Sequence, residues 1–501
     1  MIPEVNDTIL AQLQNLETAL AHEARVYNDR IEQVHAANKA SALNLIHYLT
    51  LRKADLRPLQ DKLHYLGLSS LSNSESHTLH QLRSVIQWLN RQPYHGHPDD
   101  IDPVTARAIA QRQSMHLFGQ RPSNEIPFIM VTLDARMAGD VVLVSQFLEQ
   151  GMDVARINCA HDDEATWEQL VSTLKQAMAE VGKSCRIYMD LAGPKLRTGI
   201  PGKGKDKKRL KIAEGQTLKL VEPEYEAGEK ERVVSCSVRG IIAQLKPGQK
   251  VLFDDGLIST TVVKVKGNQA HLEIDRVSGT KPHLKAGKGI NFPNAQLEIV
   301  SLTKEDKKAL PYICQEADMV GYSFVRTVDD LKVLQSSLAD LSDSPPHIII
   351  KIETPEAFVN LPELLLQGMT RNTMGVMIAR GDLAVEVGFE RMSELQEEIL
   401  WICEAAHVPV IWATQVLETL NKTGVATRSE ATDAARSAMA ECVMINKGLH
   451  TVEVIRFLKD ILGRSGGHRT KRRHLFRPLS VAQHFFKERE LLEELTASEN
   501  T

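Results

Sequence analysis

The chain has 501 residues, too many for one ordinary domain and too few for more than about four. Its hydrophobic share of 43 % and charged share of 25 % are ordinary globular values, which excludes disordered, collagenous and coiled-coil readings of the whole. With 60 Lys+Arg against 64 Asp+Glu the formal charge is -4, so a chain devoted to nucleic acid is disfavoured.

Six cysteines at positions 159, 185, 236, 314, 403 and 442 lie far apart and form no CxxC. That spacing argues against a zinc cluster or a disulfide framework and for reduced thiols in a cytoplasmic protein. The acidic start has no apolar run, so no signal peptide is expected. No window approaches the roughly 18 apolar residues of a membrane span.

Residues 4 to 57 contain neither Gly nor Pro, and Ile9, Leu13, Leu16 and Leu20 recur at helical spacing. Further helical patches carry Leu56, Leu59, Leu63 and Leu66, then Leu82, Val85, Ile86 and Leu89. One more helix is expected to about Leu117. Residues 1–118 therefore read as an all-α region, and its helices are a candidate surface for homo-oligomer formation.

From residue 126 the pattern changes. Eight short apolar runs alternate with helical segments: Ile126–Leu133, Val154–Asn158, Cys185–Asp190, Asp318–Phe324, His347–Glu353, Met374–Ala379, Val408–Ala413 and Glu441–Asn446. They are nearly continuous in apolar residues, as strands buried on both faces are. The predicted fold is α/β, a (β/α)8 TIM barrel; an open doubly wound sheet is the competitor. Between Asp190 and Asp318 the gap is too long for one crossover helix. It holds alternating β-type runs at Leu218–Val221, Arg232–Val234, Val251–Phe253, Leu257–Val265 and Ala270–Ile274. A small β domain inserted after strand 3 is expected there. The predicted boundaries are 126–198 and 291–463 for the barrel, 199–290 for the insert and 464–501 for a tail.

Catalytic groups of such a barrel stand at the carboxyl ends of its strands. Here those ends carry Arg156 and Asn158, then His161; Asp190, Lys195 and Arg197; Ser323; Lys351 and Glu353; Arg380, Gly381 and Asp382; and Thr414. Side chains at i and i+2 of a strand share a face, which pairs Arg156 with Asn158 and Lys351 with Glu353. Glu353 and Asp382 can converge from adjacent strands. Two carboxylates with room for water and phosphate oxygens suit Mg²⁺ or Mn²⁺. Nearby Lys and Arg would neutralise a phosphoryl group in transfer. Arg380-Gly381-Asp382 can open a helix whose free N–H groups receive an anion.

Several of these segments together resemble the pyruvate kinase family: Gly151–Asn158, Asp254–Ser259, Lys351–Glu353, Met377–Leu383, Ala413–Glu418 and Thr427–Asp433. The resemblance runs in order over roughly 126 to 450. It implies transfer of phosphate from phosphoenolpyruvate to ADP, giving pyruvate and ATP, in the cytoplasm. It implies that Arg156, Lys351 and Thr414 are catalytic and that Gly381 and Ser323 join them in binding substrate. Glu353 and Asp382 would hold Mg²⁺ or Mn²⁺. Asn158, His161, Arg197 and Lys288 would face the nucleotide, and the insert would close as a lid. Asn158, Asp190 and Lys195 would form the monovalent-cation site or its surrogate. No membrane or nucleic-acid partner is implied.

The departures from the family pattern are informative. Lys195 stands where an acidic residue is usual, Leu191 where Thr is, and Ala160 where a hydroxyl is; members of that type resemble potassium-independent ones, so K⁺ is not expected to be required. Asp134-Ala135-Arg136 replaces Gly-Pro-Ala after the first strand and would repel polyphosphate. Ile445-Asn-Lys-Gly448 replaces Ser-Gly-Glu-Thr, and the carboxy-terminal regulatory domain of the family is not expected. Two alternatives follow: a metal-dependent barrel acting on a pyruvate enolate without ADP, and a non-catalytic phosphoenolpyruvate-binding scaffold. His95, His97, Asp99 and Asp100 read as a surface loop, Gly202–Lys205 as a solvated turn, and the basic tail at Arg469, Lys471, Arg472 and Arg473 as a linker.

Overall fold

The computed structural model describes residues 2–92, 96, 100–121, 126–201, 209–228, 231–278, 283–293, 295, 297–466, 469–470 and 473–474. His95, His97 and Asp99, the Gly202–Lys205 turn, and Lys471 and Arg472 lie outside them.

Eight parallel strands close a barrel in sequential order: Phe128–Leu133, Val154–Asn158, Arg186–Asp190, Met319–Tyr322, His347–Ile352, Met374–Ala379, Val410–Ala413 and Cys442–Ile445. The last pairs with the first, Phe128 opposite Cys442, which excludes the open sheet. Helices fill the gaps, and several start on side-chain caps. Thr303, Thr327 and Thr427 each form a capping box with an acidic residue three positions on. The interior packs tightly. At Gly321 a Cβ would come within 1.9 Å of the Tyr188 hydroxyl and 2.5 Å of Asp190 Oδ1, so only glycine fits in the fourth strand at that point.

The N-terminal region is helical: Ile2–Val26, Asn28–Gln33, Lys39–Arg52, Arg57–Tyr65, Thr78–Leu89 and Pro103–Phe118. Its apolar stripes meet in a core of their own around Ile9, Leu13, Leu63 and Leu82. The last helix starts on Asp102, whose carboxylate accepts from the N–H groups of Val104 and Thr105. It ends on Leu117 and Phe118, which are buried in one cluster with Phe128, Ile349 and Met377 of the barrel strands. That packing explains why an apolar pair closes this helix. Buried amides seat the region on the barrel. Asn38 Nδ2 donates to Arg371 O at 2.7 Å, and Asn44 Nδ2 donates to Ala405 O at 2.8 Å.

The insert is a seven-stranded sheet running from Thr198–Gly199 to Ile290–Asn291, with a two-stranded ribbon of Arg209–Lys211 and His283–Lys285. Its core is separate from the barrel's and includes Leu218, Val234, Phe253 and Leu272. The two connections to the barrel lie side by side: Thr198 N donates to Lys288 O at 2.7 Å, and Arg197 bridges Gly289. Among the described residues no helix is long and apolar enough to cross a membrane.

Candidate active site

The carboxyl ends of strands two to five carry a buried chain of alternating charge. Asn158 and Asp190 are register partners on strands two and three. Asp190, 1 % exposed, accepts from Arg156 Nη2 at 2.6 Å and Nε at 3.0 Å. Lys351 Nζ lies 3.2 Å from Asp190 Oδ1 and 3.1 Å from Glu353 Oε1, and it donates to Ser323 Oγ at 2.7 Å. The Ser323 hydroxyl in turn donates a hydrogen bond to Leu191 O at 2.6 Å. Arg156 also reaches Thr132 Oγ1 on the first strand at 3.0 Å, and the Tyr188 hydroxyl donates to Asp190 at 3.1 Å.

Burial alone would push the Asp190 carboxyl up, but Lys351 and Arg156 hold it below the usual aspartate range. Burial likewise disfavours the Lys351 ammonium, and the charges of Asp190 and Glu353 outweigh it, raising Lys351. Glu353 goes the other way. Burial raises it, Lys351 opposes, and the negative charge of Asp382 raises it again. The negative charge of Asp382, which follows the next strand, is therefore felt at Glu353.

Glu353 Oε2 accepts the Phe324 N–H at 2.6 Å. Phe324 turns that N–H inward by adopting φ 54°. The fourth strand consequently stops at Tyr322, two residues short of the apolar run. After strand six the helix Arg380–Val387 begins, and Gly381 N donates to Thr414 Oγ1 at 2.8 Å. Thr414 and Gln415 both have positive φ, 67° and 57°, a conformation costing about 1–3 kcal/mol each in a non-glycine residue. Arg380 holds this turn. Its guanidinium donates to Ala413 O and Thr414 O, pairs with Asp433 and stacks on Trp412.

Lys195 goes to Asp382 rather than to Asp190: its Nζ is 2.7 Å from Asp382 Oδ1. The reason is that Asp190 is already bound by two cations, while Asp382 at the barrel rim faces the chain leading to the insert. Lys288 Nζ pairs with Asp254 Oδ1 at 2.7 Å inside the insert, and Arg197 donates to Gly287 O at 3.1 Å. His161 is lowered by burial and by the charges of Lys447 and Arg197. Asp134 is clamped by Arg136, with Nη2 to Oδ2 at 2.7 Å, and is held low against the effect of its burial. The bare carboxylate expected at the first loop is thus a neutralised pair.

Among the described residues no group of three or more His, Cys, Asp or Glu forms a complete metal cage. Glu353 and Asp382 supply two carboxylates, and Glu353 is raised by burial and by its acidic neighbour, so a cation between them would relieve a real electrostatic cost. This donor set fits Mg²⁺, which keeps water and substrate oxygens as its other ligands.

One residue escaped the sequence reading. Glu386 lies one helical turn after Asp382 and accepts from Asn291 Nδ2 at 2.8 Å, tying the barrel helix to the returning strand of the insert. Both residues line a cavity of about 460 Å³ that also includes Lys195 and Asp382. The i, i+4 spacing of Asp382 and Glu386 was the available signal. Burial pushes Glu386 up to about 7, with Asp382 adding to the rise. A carboxyl raised in the folded state binds its proton more tightly there, so its stability contribution is complete below the unfolded value. It falls away as pH rises through about 7. Glu386→Gln is therefore expected to raise the melting temperature relative to the parent at pH 8 and to lose that advantage near pH 4. A difference independent of pH between these limits would contradict the assignment.

The family described as pyruvate kinase, barrel domain, matches residues 128–449. A pyruvate kinase of Clostridium acetobutylicum is 29% identical over 326 residues, 64% of this chain and 66% of that protein. A cytosolic pyruvate kinase isozyme of Glycine max is 31% identical over 315 residues, 61% of this chain and 58% of that protein. The chain thus spans less than two thirds of the length of these relatives. The crystal structure of a pyruvate kinase from Cryptosporidium parvum superposes with a TM-score of 0.61 at 24% identity, over 68% of this chain and 69% of that one. That likeness carries the fold.

Proposed function

The chain belongs to the pyruvate kinase family, and from that premise we propose that it transfers the phosphoryl group of phosphoenolpyruvate to ADP, giving pyruvate and ATP. The observation that carries the reading is the buried chain Arg156–Asp190–Lys351–Glu353 at the barrel mouth. Arg156 and Lys351 offer two cations to the phosphate, and Asp190 fixes their positions before substrate arrives. Preorganised charge of this kind stabilises a transition state without reorganising water.

In the proposed reaction the bond between phosphorus and the enol oxygen breaks as a bond forms to a terminal oxygen of ADP. The enolate left behind takes a proton from solvent at its carbon, beside Thr414, whose hydroxyl oxygen accepts the Gly381 N–H. Backbone N–H groups at the start of the Arg380–Val387 helix receive the substrate carboxylate. Glu353 and Asp382 would hold Mg²⁺ or Mn²⁺, which supplies further neutralisation of phosphate charge when bound; Lys195 would leave Asp382 to make way. Asn158, His161, Arg197 and Lys288 are assigned to the nucleotide side. The insert, 199–290, acts as a lid that excludes water. The Arg136 clamp on Asp134 favours ADP use over the enolate-lyase alternative, because a neutralised pair does not repel polyphosphate as a lone carboxylate would.

Pyruvate formation from phosphoenolpyruvate and Mg²⁺ is expected to depend on ADP. Pyruvate formed equally without ADP would move the reading to an enolate lyase. Lys195 supplies a fixed positive charge at the mouth. Exchanging Na⁺ for K⁺ at constant ionic strength is therefore expected to change the rate by less than about twofold, and a tenfold rise would contradict this.

Residence in the cytoplasm belongs to the same reading and is supported by six free cysteines. We also assign self-association to the helical region, where Tyr65 is 87% and Trp88 72% exposed. Replacing both by Lys is expected to lower the mass in solution measured by sedimentation, and an unchanged mass would contradict this.

A further inference from the structure

A cavity of about 590 Å³ opens between the N-terminal helical region and the barrel, away from the strand ends that carry the candidate active site. One wall is the end of the helix Lys39–Arg52 and the segment after it, with Tyr48, Arg52 and Gln60. The opposite wall is barrel sequence: Glu397 and Trp401 on the helix Phe389–Ala405 and Arg436 at the end of the helix Arg428–Arg436. The size is that of a small-metabolite site, and sites of this kind prefer boundaries between structural units.

Arg52 is among its lining residues. The guanidinium lies 4.8 Å from the Trp401 ring centroid and 5.5 Å from that of Tyr48, and it donates to the Tyr48 hydroxyl. An aromatic side chain from each side of the boundary therefore holds it in position. The other two arginines lining the cavity are neutralised: Arg57 is bidentate to Asp55, and Arg436 is held by Glu397. Arg52 alone among these three makes no ion pair within the described residues. A planar, positioned guanidinium with free N–H groups matches a carboxylate or phosphate bidentately. The loop that closes the cavity is held in an uncommon backbone form, with Leu71 at φ 62° and Asn73 at φ 61°, and Ser72 and Asn73 place polar groups on its rim.

The cavity also has a mechanical route to the barrel mouth. Arg436 and Asp433 are one turn apart on the same helix. Asp433 holds Arg380, and Arg380 holds the carbonyls of Ala413 and Thr414. We propose that this cavity is an effector site for a small anionic metabolite bearing a carboxylate or phosphate, gripped by Arg52 and sensed through the Arg428–Arg436 helix. The effector role rests on the kinase reading; the binding site does not.

The test uses the full chain labelled with ¹⁵N and follows the indole N–H signal of Trp401, assigned by its loss in Trp401→Phe. The probes are citrate, for carboxylate, and inorganic phosphate. At least one is expected to shift the signal saturably at concentrations on the order of 10 mM or below. Arg52→Met keeps the aliphatic stem over Trp401 and is expected to weaken that binding by about tenfold or more. Arg52→Lys, which keeps the charge without the fork, is expected to fall between. No saturable shift with either probe, or equal binding by Arg52→Met, would overturn the site. With free Mg²⁺ held constant, the bound probe is expected to change the KM for phosphoenolpyruvate in the parent and less so in Arg52→Met. Probe binding at Trp401 with the same KM change in both proteins, or with none, would overturn the effector role.

Discussion

Replacing Lys351 by Met is expected to lower turnover by about 10³-fold, the scale of losing one preorganised charge at a transition state. Lys351 is the only cation within ion-pair distance of both Asp190 and Glu353 among the described residues. Ser323 holds it from the side, so the ammonium has one position. Methionine fills most of the same volume, and the barrel is expected to stay closed. Glu353, already raised by burial, would lose its nearest counter-charge and rise further. The loss is therefore expected in kcat, with circular dichroism unchanged. Full turnover in this variant would remove Lys351 from the mechanism.

Asp190→Asn is expected to be the most damaging single change for stability at the site, costing about 3 kcal/mol or more. It leaves the Arg156 and Lys351 cations buried with one carboxylate, Glu353, in place of two. The amide also cannot accept both Arg156 donors and the Tyr188 hydroxyl as the carboxylate does. The pH dependence carries the sign of a lowered carboxyl. The Asp190 contribution is complete above the ordinary aspartate value near 4 and disappears as pH falls through the lower folded value. The gap in melting temperature between parent and variant is thus expected to be full at pH 7 and to narrow in acid. A gap that widens in acid would show that Asp190 is not the counter-charge of this cluster.

Much of the architecture was legible because buried parallel strands leave an unambiguous mark. The runs at Val154–Asn158 and Met374–Ala379 end where the strands end. The fourth run fails at Ser323 because a periodic pattern cannot reveal a left-handed Phe324 turning its N–H to Glu353. The helices of residues 2–118 were legible from spacing, yet their seating was not. Nothing local says that Leu117 and Phe118 pack against the barrel, since the surface they meet comes from strands far along the chain.

The site divides in the same way. Lys351 with Glu353 follows from strand period alone. Thr132 joins the cluster only through the register between the first two strands, whereas Tyr188 shares a strand face with Asp190 two residues on. Lys195 reaches Asp382 because the path into the insert passes the barrel rim, and Arg136 folds back on Asp134 within a single turn. Both contacts depend on loop geometry that composition does not encode. They change the chemistry expected there, one by guarding a carboxylate of the candidate metal site and the other by neutralising the first loop.

The most direct test of the central claim is phosphorus NMR of the protein with phosphoenolpyruvate, ADP and Mg²⁺. The phosphoenolpyruvate signal is expected to disappear as the γ-phosphorus of ATP appears in equal amount, and Lys351→Met is expected to abolish both changes. Inorganic phosphate appearing in place of ATP, or an unchanged spectrum from folded protein, would contradict the assignment of phosphoryl transfer to ADP.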